Sequence, residues 1–229
     1  MPGFFTAPLV HPMQHTLDDD AIIKILKVEM IHEMDVGFDY IDNLLDETKE
    51  SGFFGTIIHQ IEKFVFVYFA RDTTRDKTIK QMDIIFSAAI EQKNGVPMQD
   101  IGKRMFKEYL HNDETYHRCD KAHSKFGVII ENIKAGFESR IMQTTEILKK
   151  GKGSTYGDLI KTTFSNKDEA KQFLAGQLQC VKNEIDVLTS NPDILKVPVA
   201  KKRILEIIVK GYEYALARVY SNLDEFFAS

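Results

Sequence analysis

The chain has 229 residues, 43% of them hydrophobic and 28% charged, with a formal net charge of −4; that composition suits a soluble globular protein with one large core or two small ones. Lys and Arg are scattered among acidic residues rather than massed on one segment, which excludes the basic footprint of a nucleic-acid or anionic-membrane binder. Cys119 and Cys180 form no CxxC, so neither a disulfide framework nor a thiolate zinc site is expected, and a reducing cytoplasm fits best.

Residues 1–15 carry Pro2, Pro8 and Pro12, which resist helix formation, and lack the basic start of a secretory signal. A non-helical arm is expected there, with Phe4, Phe5, Leu9 and Val10 available to dock on the body or on a second subunit, the alternative being a disordered terminus. Thr16 and Asp19 mark the start of a first helix, along which Ile22, Ile23, Leu26, Met30, Met34, Ile41, Leu44 and Leu45 recur near helical spacing up to Gly52. The run 53–71 is apolar around most of its circumference, as a central helix covered on several sides would be. No stretch reaches the roughly 18 apolar residues that cross a bilayer.

A third helix, capped by Asp72 or Thr73, carries Ile79, Met82, Ile85, Phe86 and Ile90 and stops at Asn94-Gly95 before Pro97. One long helix is expected from Met98 to Lys149. A polar island from His111 to Lys125 interrupts its stripe, which Phe126, Ile129, Ile130, Ile133, Phe137, Ile141 and Ile147 restore. The glycine-rich segment Gly151–Gly157 is the one subdomain boundary. After it come a short helix near Asp158–Thr163, a helix opened by Ser165 with Asp168, and a last helix from Pro198 to Phe227. The last helix puts Ile204, Ile208, Gly211, Ala215, Val219 and Phe226 on one side, where small residues permit close approach. Alternating strand patterns and repeats are absent. The fold class is therefore all-α: an antiparallel helical bundle with a four-helix core over 16–150, and a C-terminal helical segment, 151–229, packed on it.

Two Glu-x-x-His pairs carry the chemistry, Glu29 with His32 and Glu114 with His117, because residues three apart share a helix face. In di-metal carboxylate bundles two helices each supply such a pair and two others each supply a Glu, the carboxylates bridging the metals. Glu62, with Glu184, Glu206 or Glu213, would complete the set, for iron or manganese. The competing readings are structural. His117 with Asp113 and Asp120 is a surface hydrogen-bonded trio, Glu29 pairs with Tyr40 or Lys63, and His59 shares a face with Glu62. The cysteines are small core residues, and the 16 Phe and 8 Tyr form core or line a pocket for an apolar ligand.

The order ILKVEMIHEMDVGFDYIDNLL, then FVFVYFARDTTRDKTIKQMDIIFSAAIEQKNGVP, then YLHNDETYHR resembles the hemerythrin-like bundle proteins over residues 20–190, with the third-helix spacing and the Gly95-Val96-Pro97 turn as its best points. The resemblance implies a four-helix bundle, which in that family holds a non-haem di-iron centre. The family's His-His-x-Lys-Glu-Glu-x-x-Leu-Phe falls on Lys77–Phe86, where Lys80 and the apolar end agree. Its Leu-x-Glu-His falls on Leu110–Asp113, and its His-Ile-x-Lys-Glu-x-x-Val-Leu falls on Cys180–Leu188. Most ligand histidines are replaced, so the likeness implies the architecture and argues against the usual iron site.

Three functional readings follow. The first is a metal-free binding or regulatory module without cofactor, self-associating or held by a protein partner through the arm or the last helix. The second is a non-haem metal protein using Glu29, His32, Glu62, Glu114 and His117. The third is a carrier of a small apolar ligand. No P-loop, dinucleotide fingerprint, G-x-S-x-G or supported Cys/His nucleophile pair is present, and enzyme status stays open.

Overall fold

The structure, a computed structural model, describes residues 17–47, 52–66, 71–112, 123–190 and 199–228. Among them the fold is all-α, a helical bundle without strands: α1 (Asp19–Glu47), α2 (Phe53–Val65), α3 (Asp72–Lys93), α4 (Met98–Asn112), α5 (His123–Lys150), α6 (Tyr156–Thr163), α7 (Lys167–Ser190) and α8 (Val199–Ala228). None of these helices is long and apolar enough to cross a membrane. The arm at 1–15 lies outside the described residues.

Local signals set several helix ends, but the expected cap of α3 by Asp72 or Thr73 is not formed: α3 follows Arg71, itself in the right-handed helical conformation, with no side-chain cap hydrogen bond, so the chain enters α3 already coiled. Asp18 caps α1, its carboxylate accepting from the Ala21 amide at 2.8 Å; Thr16 lies outside the described residues. At the end of α3 the Val96 amide donates to the Glu91 carbonyl and the Gly95 amide to the Gln92 carbonyl. Gly95 sits at φ +95°, the left-handed conformation that this C-terminal motif needs. The Thr155 hydroxyl accepts from the Asp158 amide while the Asp158 side chain accepts from the Thr155 amide, a capping box that starts α6.

Five long helices close a ring: α1 touches α3 and α8, α8 touches α7, α7 touches α5, and α5 touches α3. The α1–α3 side is antiparallel and laced by ion pairs Asp19–Lys93, Lys27–Asp83 (2.6 Å), Asp35–Arg75 (3.1 Å) and Asp39–Arg71 (3.0 Å). Across α1–α8, Tyr40 stacks on Tyr214 and Glu33 faces Arg218, so these helices are antiparallel too. Lys167–Asp224 and Lys182–Glu213 align α7 against α8 in the same sense, and Gly136 and Gly176 of α5 and α7 approach Cys180 and Gln143. An odd ring must contain one parallel pair. It is α3 with α5, whose C-terminal ends meet where the Thr145 hydroxyl lies 3.4 Å from the Ala89 carbonyl oxygen.

The largest core cluster joins Ile22 and Leu26 of α1, Phe86 and Ala89 of α3, Ile101 and Phe106 of α4, Phe137 and Ile141 of α5, and Leu159 of α6. A second holds Met34, Phe38, Ile41 and Leu45 with Phe66, and a third joins Ile160, Ala170, Leu174, Val219 and Leu223. The short α6 contributes to two clusters and plugs one end of the ring between α1, α5 and α8.

Two expectations are corrected. A continuous helix from Met98 to Lys149 would separate Gly102 from Glu138 by about 54 Å at ~1.5 Å per residue. Instead a β-carbon on Gly102 would lie 3.1 Å from the Glu138 carboxylate, and the Phe106 and Phe137 rings meet edge-on at 6.2 Å. The chain folds back on itself, so α4 and α5 are antiparallel neighbours that bury their stripes on each other. The polar island marks this reversal, and 113–122 lie outside the described residues.

The second correction concerns α2, which is peripheral rather than central. Its His59 and Lys63 turn inward to the Asp46 and Asp42 carboxylates of α1, at 3.1 Å and 2.6 Å to Asp46. With that side set against α1, part of the apolar circumference lies on the outside.

Candidate functional site

Three segments converge beside the middle of α1. The turn from Gly151 to Thr155 presents α6 end-on; Gly153 takes φ +116° there, and a β-carbon on Gly157 would meet the Phe226 ring at 2.9 Å. Those tight contacts press Tyr156 toward α1 and hold Phe226 of α8 against α6. The result is an open cleft of about 310 Å³ lined by Glu29, Tyr156, Asp158, Lys161, Glu225 and Phe226, together with Thr155 and Gly157.

Its groups are tuned differently. The Thr155 hydroxyl, with the Ser154 and Thr155 amides at 3.0 and 3.1 Å, holds the Asp158 carboxyl below the usual carboxylate range, so this side chain is already committed to the helix cap. Desolvation pushes the Tyr156 phenol well above its ordinary value, and the nearby Glu29 and Glu33 carboxylates push it further. Tyr156 is therefore a hydrogen-bond donor at any physiological pH and no base. Glu33, one turn past Glu29, has a buried Oε2 that accepts no hydrogen bond, with the Arg218 guanidinium at 3.9 Å. Burial raises its carboxyl above the ordinary value; Arg218 and His32 oppose the shift, and Glu29 adds to it.

The metal-ligand set is not assembled among the described residues. Glu29 lines the cleft and His32 is exposed on the same helix, beside Glu33. Glu62 lies on α2, which the Lys63–Asp42 and His59–Asp46 pairs place about 20 Å farther along α1 at ~1.5 Å per residue. Glu114 and His117 lie outside the described residues. Of the supplementary carboxylates, Glu206 is exposed and Glu213 pairs with Lys182. No group of three or more His, Cys, Asp or Glu among the described residues is disposed to hold a metal ion.

The structural alternatives also sort differently from expectation. Tyr40 stacks on Tyr214 at 4.1 Å and Lys63 binds Asp42 and Asp46, so neither is the partner of Glu29. His59 meets Asp46. The apolar groove between α1 and α8, from Met34 to Ala215, encloses only about 10 Å³, too little for an apolar ligand.

Three features went unread in the sequence. Asp35, Asp39, Asp42 and Asp46 follow one another at helical spacing on a single acidic face of α1, and that periodicity was available. Tyr156 and Arg218 had no local signal, since each comes near Glu33 from more than a hundred residues away. The third feature is the outer side of α2: Ile57, Ile61 and Phe64 are 39%, 58% and 54% exposed, in register at i, i+4 and i+7. The side facing α1 is already filled by His59, Lys63 and Phe66, the last set edge-on to Phe38 at 6.2 Å. Comparison of the chain with protein-family models, with curated proteins and with solved structures finds no match.

Proposed function

We propose that this chain is a metal-free helical module that works by binding a protein surface, with the outer side of α2 as its contact. The observation that carries the reading is the apolar stripe Ile57–Ile61–Phe64. Single exposed apolar residues are ordinary on any surface, but three in register on one helix form a continuous strip of the kind that marks an interaction site. The strip is not a leftover of poor packing, because the inner side of the same helix has its own ion pairs and buried Phe66. The hemerythrin-like resemblance agrees with the bundle architecture, and the replaced ligand positions favour the metal-free form.

Affinity capture from the producing cells tests the reading. Wild-type protein should retain a specific protein, a second copy of the chain or a different one, and Ile61→Glu should lose it. Elemental analysis is the second arm. One or more iron or manganese ions per purified chain would overturn the metal-free part and return Glu29, His32, Glu62, Glu114 and His117 to the first rank of candidates.

A further inference from the structure

We infer that the cleft between α1, α6 and α8 is a binding site for a small organic cation, a primary amine with an apolar body. The inference is independent of the reading of α2, since no residue of α2 lines the cleft. A volume of about 310 Å³ holds roughly ten water molecules at ~30 Å³ each, and so a molecule of about that many heavy atoms, at the lower end of small-molecule sites. Glu29 lines it from α1, and its carboxylate makes no hydrogen bond or ion pair with a described residue. Tyr156 lines it from α6. Its ring packs on two core clusters, and its hydroxyl likewise has no hydrogen-bond partner among the described residues. The two stand close enough that, after burial, the Glu29 carboxylate is what most raises the Tyr156 phenol. Phe226 supplies a second ring, which the missing β-carbon of Gly157 lets lie directly on α6. An ammonium can donate to the Glu29 carboxylate and to the Tyr156 oxygen while its carbon body lies on the two rings.

The other ligand classes suit the lining less well. An anion meets three carboxylates, Glu29, Asp158 and Glu225, against the one cation Lys161. The Ser154 and Thr155 amides, which could otherwise cradle an anion at the start of α6, already hold Asp158 at 3.0 and 3.1 Å. A bare metal ion needs three or more converging ligands, and no group of His, Cys, Asp and Glu among the described residues supplies them. A neutral apolar molecule would strip water from the Glu29 carboxylate and offer it nothing in return. A cation with a carbon body satisfies both the acid and the rings. The walls are also preformed. A β-carbon on Gly153 would collide with Asp158, so the turn is packed directly on the start of α6, which reduces the ordering cost of binding.

NMR titration of the full chain with phenethylamine at constant ionic strength tests this, with phenethyl alcohol and phenylacetate as the neutral and anionic counterparts. The amine should bind saturably, one per chain, with a Kd on the order of millimolar for so small a ligand, and should shift the amides of Gly157, Lys161 and Phe226. The alcohol and the acid should bind about tenfold more weakly or not at all. Glu29→Gln should weaken amine binding about tenfold, and Tyr156→Phe, which keeps the ring, about threefold. Both variants should fold, because neither polar group has a partner to lose, and thermal unfolding checks it. Glu131→Gln, which alters an exposed acid on α5, should bind the amine like the wild type. Ile61→Glu should do so too, so that loss of a partner at α2 and loss of this site are told apart. No saturable binding well above that Kd overturns the inference. Equal binding of the alcohol or the acid, shifts that map elsewhere, or Glu29→Gln binding like the wild type each overturn it as well.

Discussion

Gly37 of α1 and Gly211 of α8 face one another where the two helices cross. A β-carbon on Gly37 would lie 2.7 Å from the Gly211 carbonyl oxygen, and one on Gly211 would lie 2.7 Å from Ile41 Cδ1 and 2.9 Å from the Gly37 carbonyl oxygen. Neither glycine has a left-handed backbone, so proximity and not conformational freedom accounts for the residue type. This approach brings Tyr40 onto Tyr214 and Glu33 toward Arg218.

Gly37→Ala should therefore destabilise the protein even though alanine is the better helix former. The propensity gain is about 1 kcal/mol, while overpacking costs about 1–3 kcal/mol, and here the obstacle is backbone that moves only if the helices part. Because that obstacle puts the cost toward the upper end of its range, about 2–3 kcal/mol, a net loss of about 1–2 kcal/mol is expected, with a fall in Tm of about 2–4 °C per kcal/mol for a chain of this size. Thermal or urea unfolding measures it, and an unchanged or raised midpoint would contradict the close crossing.

Glu33 should make stability depend on pH in the sense opposite to a salt-bridged carboxylate. Its folded pKa lies above the ordinary value of 4.5, so between those two values the folded state binds more protons than the unfolded one. Stability is gained as pH falls through the folded pKa toward 4.5 and is lost as pH rises through it. Glu33→Gln should raise Tm at neutral pH and remove this component. The lowered carboxyls of Asp158 and Glu146 act oppositely, losing stability only as pH falls below their ordinary range. Hence the difference between wild type and Glu33→Gln across the titration isolates Glu33. A difference that does not vary between pH 4.5 and neutrality would show that the carboxyl is not buried against α8.

Thr145 should behave as a polar rivet between α3 and α5. It is 1% exposed, its hydroxyl contacts the Gln92 carboxamide oxygen across the pair, and the Ile141 carbonyl of its own helix at 2.8 Å and the Ala89 carbonyl at 3.4 Å are the alternative acceptors of its one proton. Thr145→Val keeps the shape and removes the donor, at an expected cost of about 1 kcal/mol. Thr145→Ala also empties a methyl site and should cost about twice that. Equal stability of wild type and the valine variant in urea would mean the hydroxyl contributes nothing across the helix pair.

The ladder along α1 and α3 sets register more than stability. Asp39 and Arg71 are both partly exposed, so the pair contributes less than about 1 kcal/mol. Asp39→Lys should lower Tm slightly by placing two cations together, and Arg71→Glu in the same chain should restore it. Recovery should shrink in concentrated salt, where exposed charges are screened. A double variant no better than the worse single one would show that these residues do not face each other.

Much of the architecture was legible one helix at a time. The stripe through Ile22, Leu26, Met34 and Ile41 and the one through Met82, Ile85 and Phe86 are recorded by spacing alone, and both are buried. The Asn94-Gly95 stop was equally local, because a glycine at positive φ and a following proline end a helix whatever surrounds it. The candidate site was less so. Glu29 was picked out for its spacing to His32, yet its neighbours in the cleft are Tyr156 and Glu225, which no pattern within α1 could name.

What the residue order determined by itself is most of the rods, the buried stripes of α1, α3 and α5, and several of the ends, since periodicity and capping act over a few residues. What only the tertiary structure decided is which side meets which. It folded Met98–Lys150 back on itself at the polar island, turned the ion-pairing side of α2 inward and its isoleucines outward, and brought Gly211 against Gly37. Each of those outcomes depends on the joint packing of several helices, which no single helix's periodicity records.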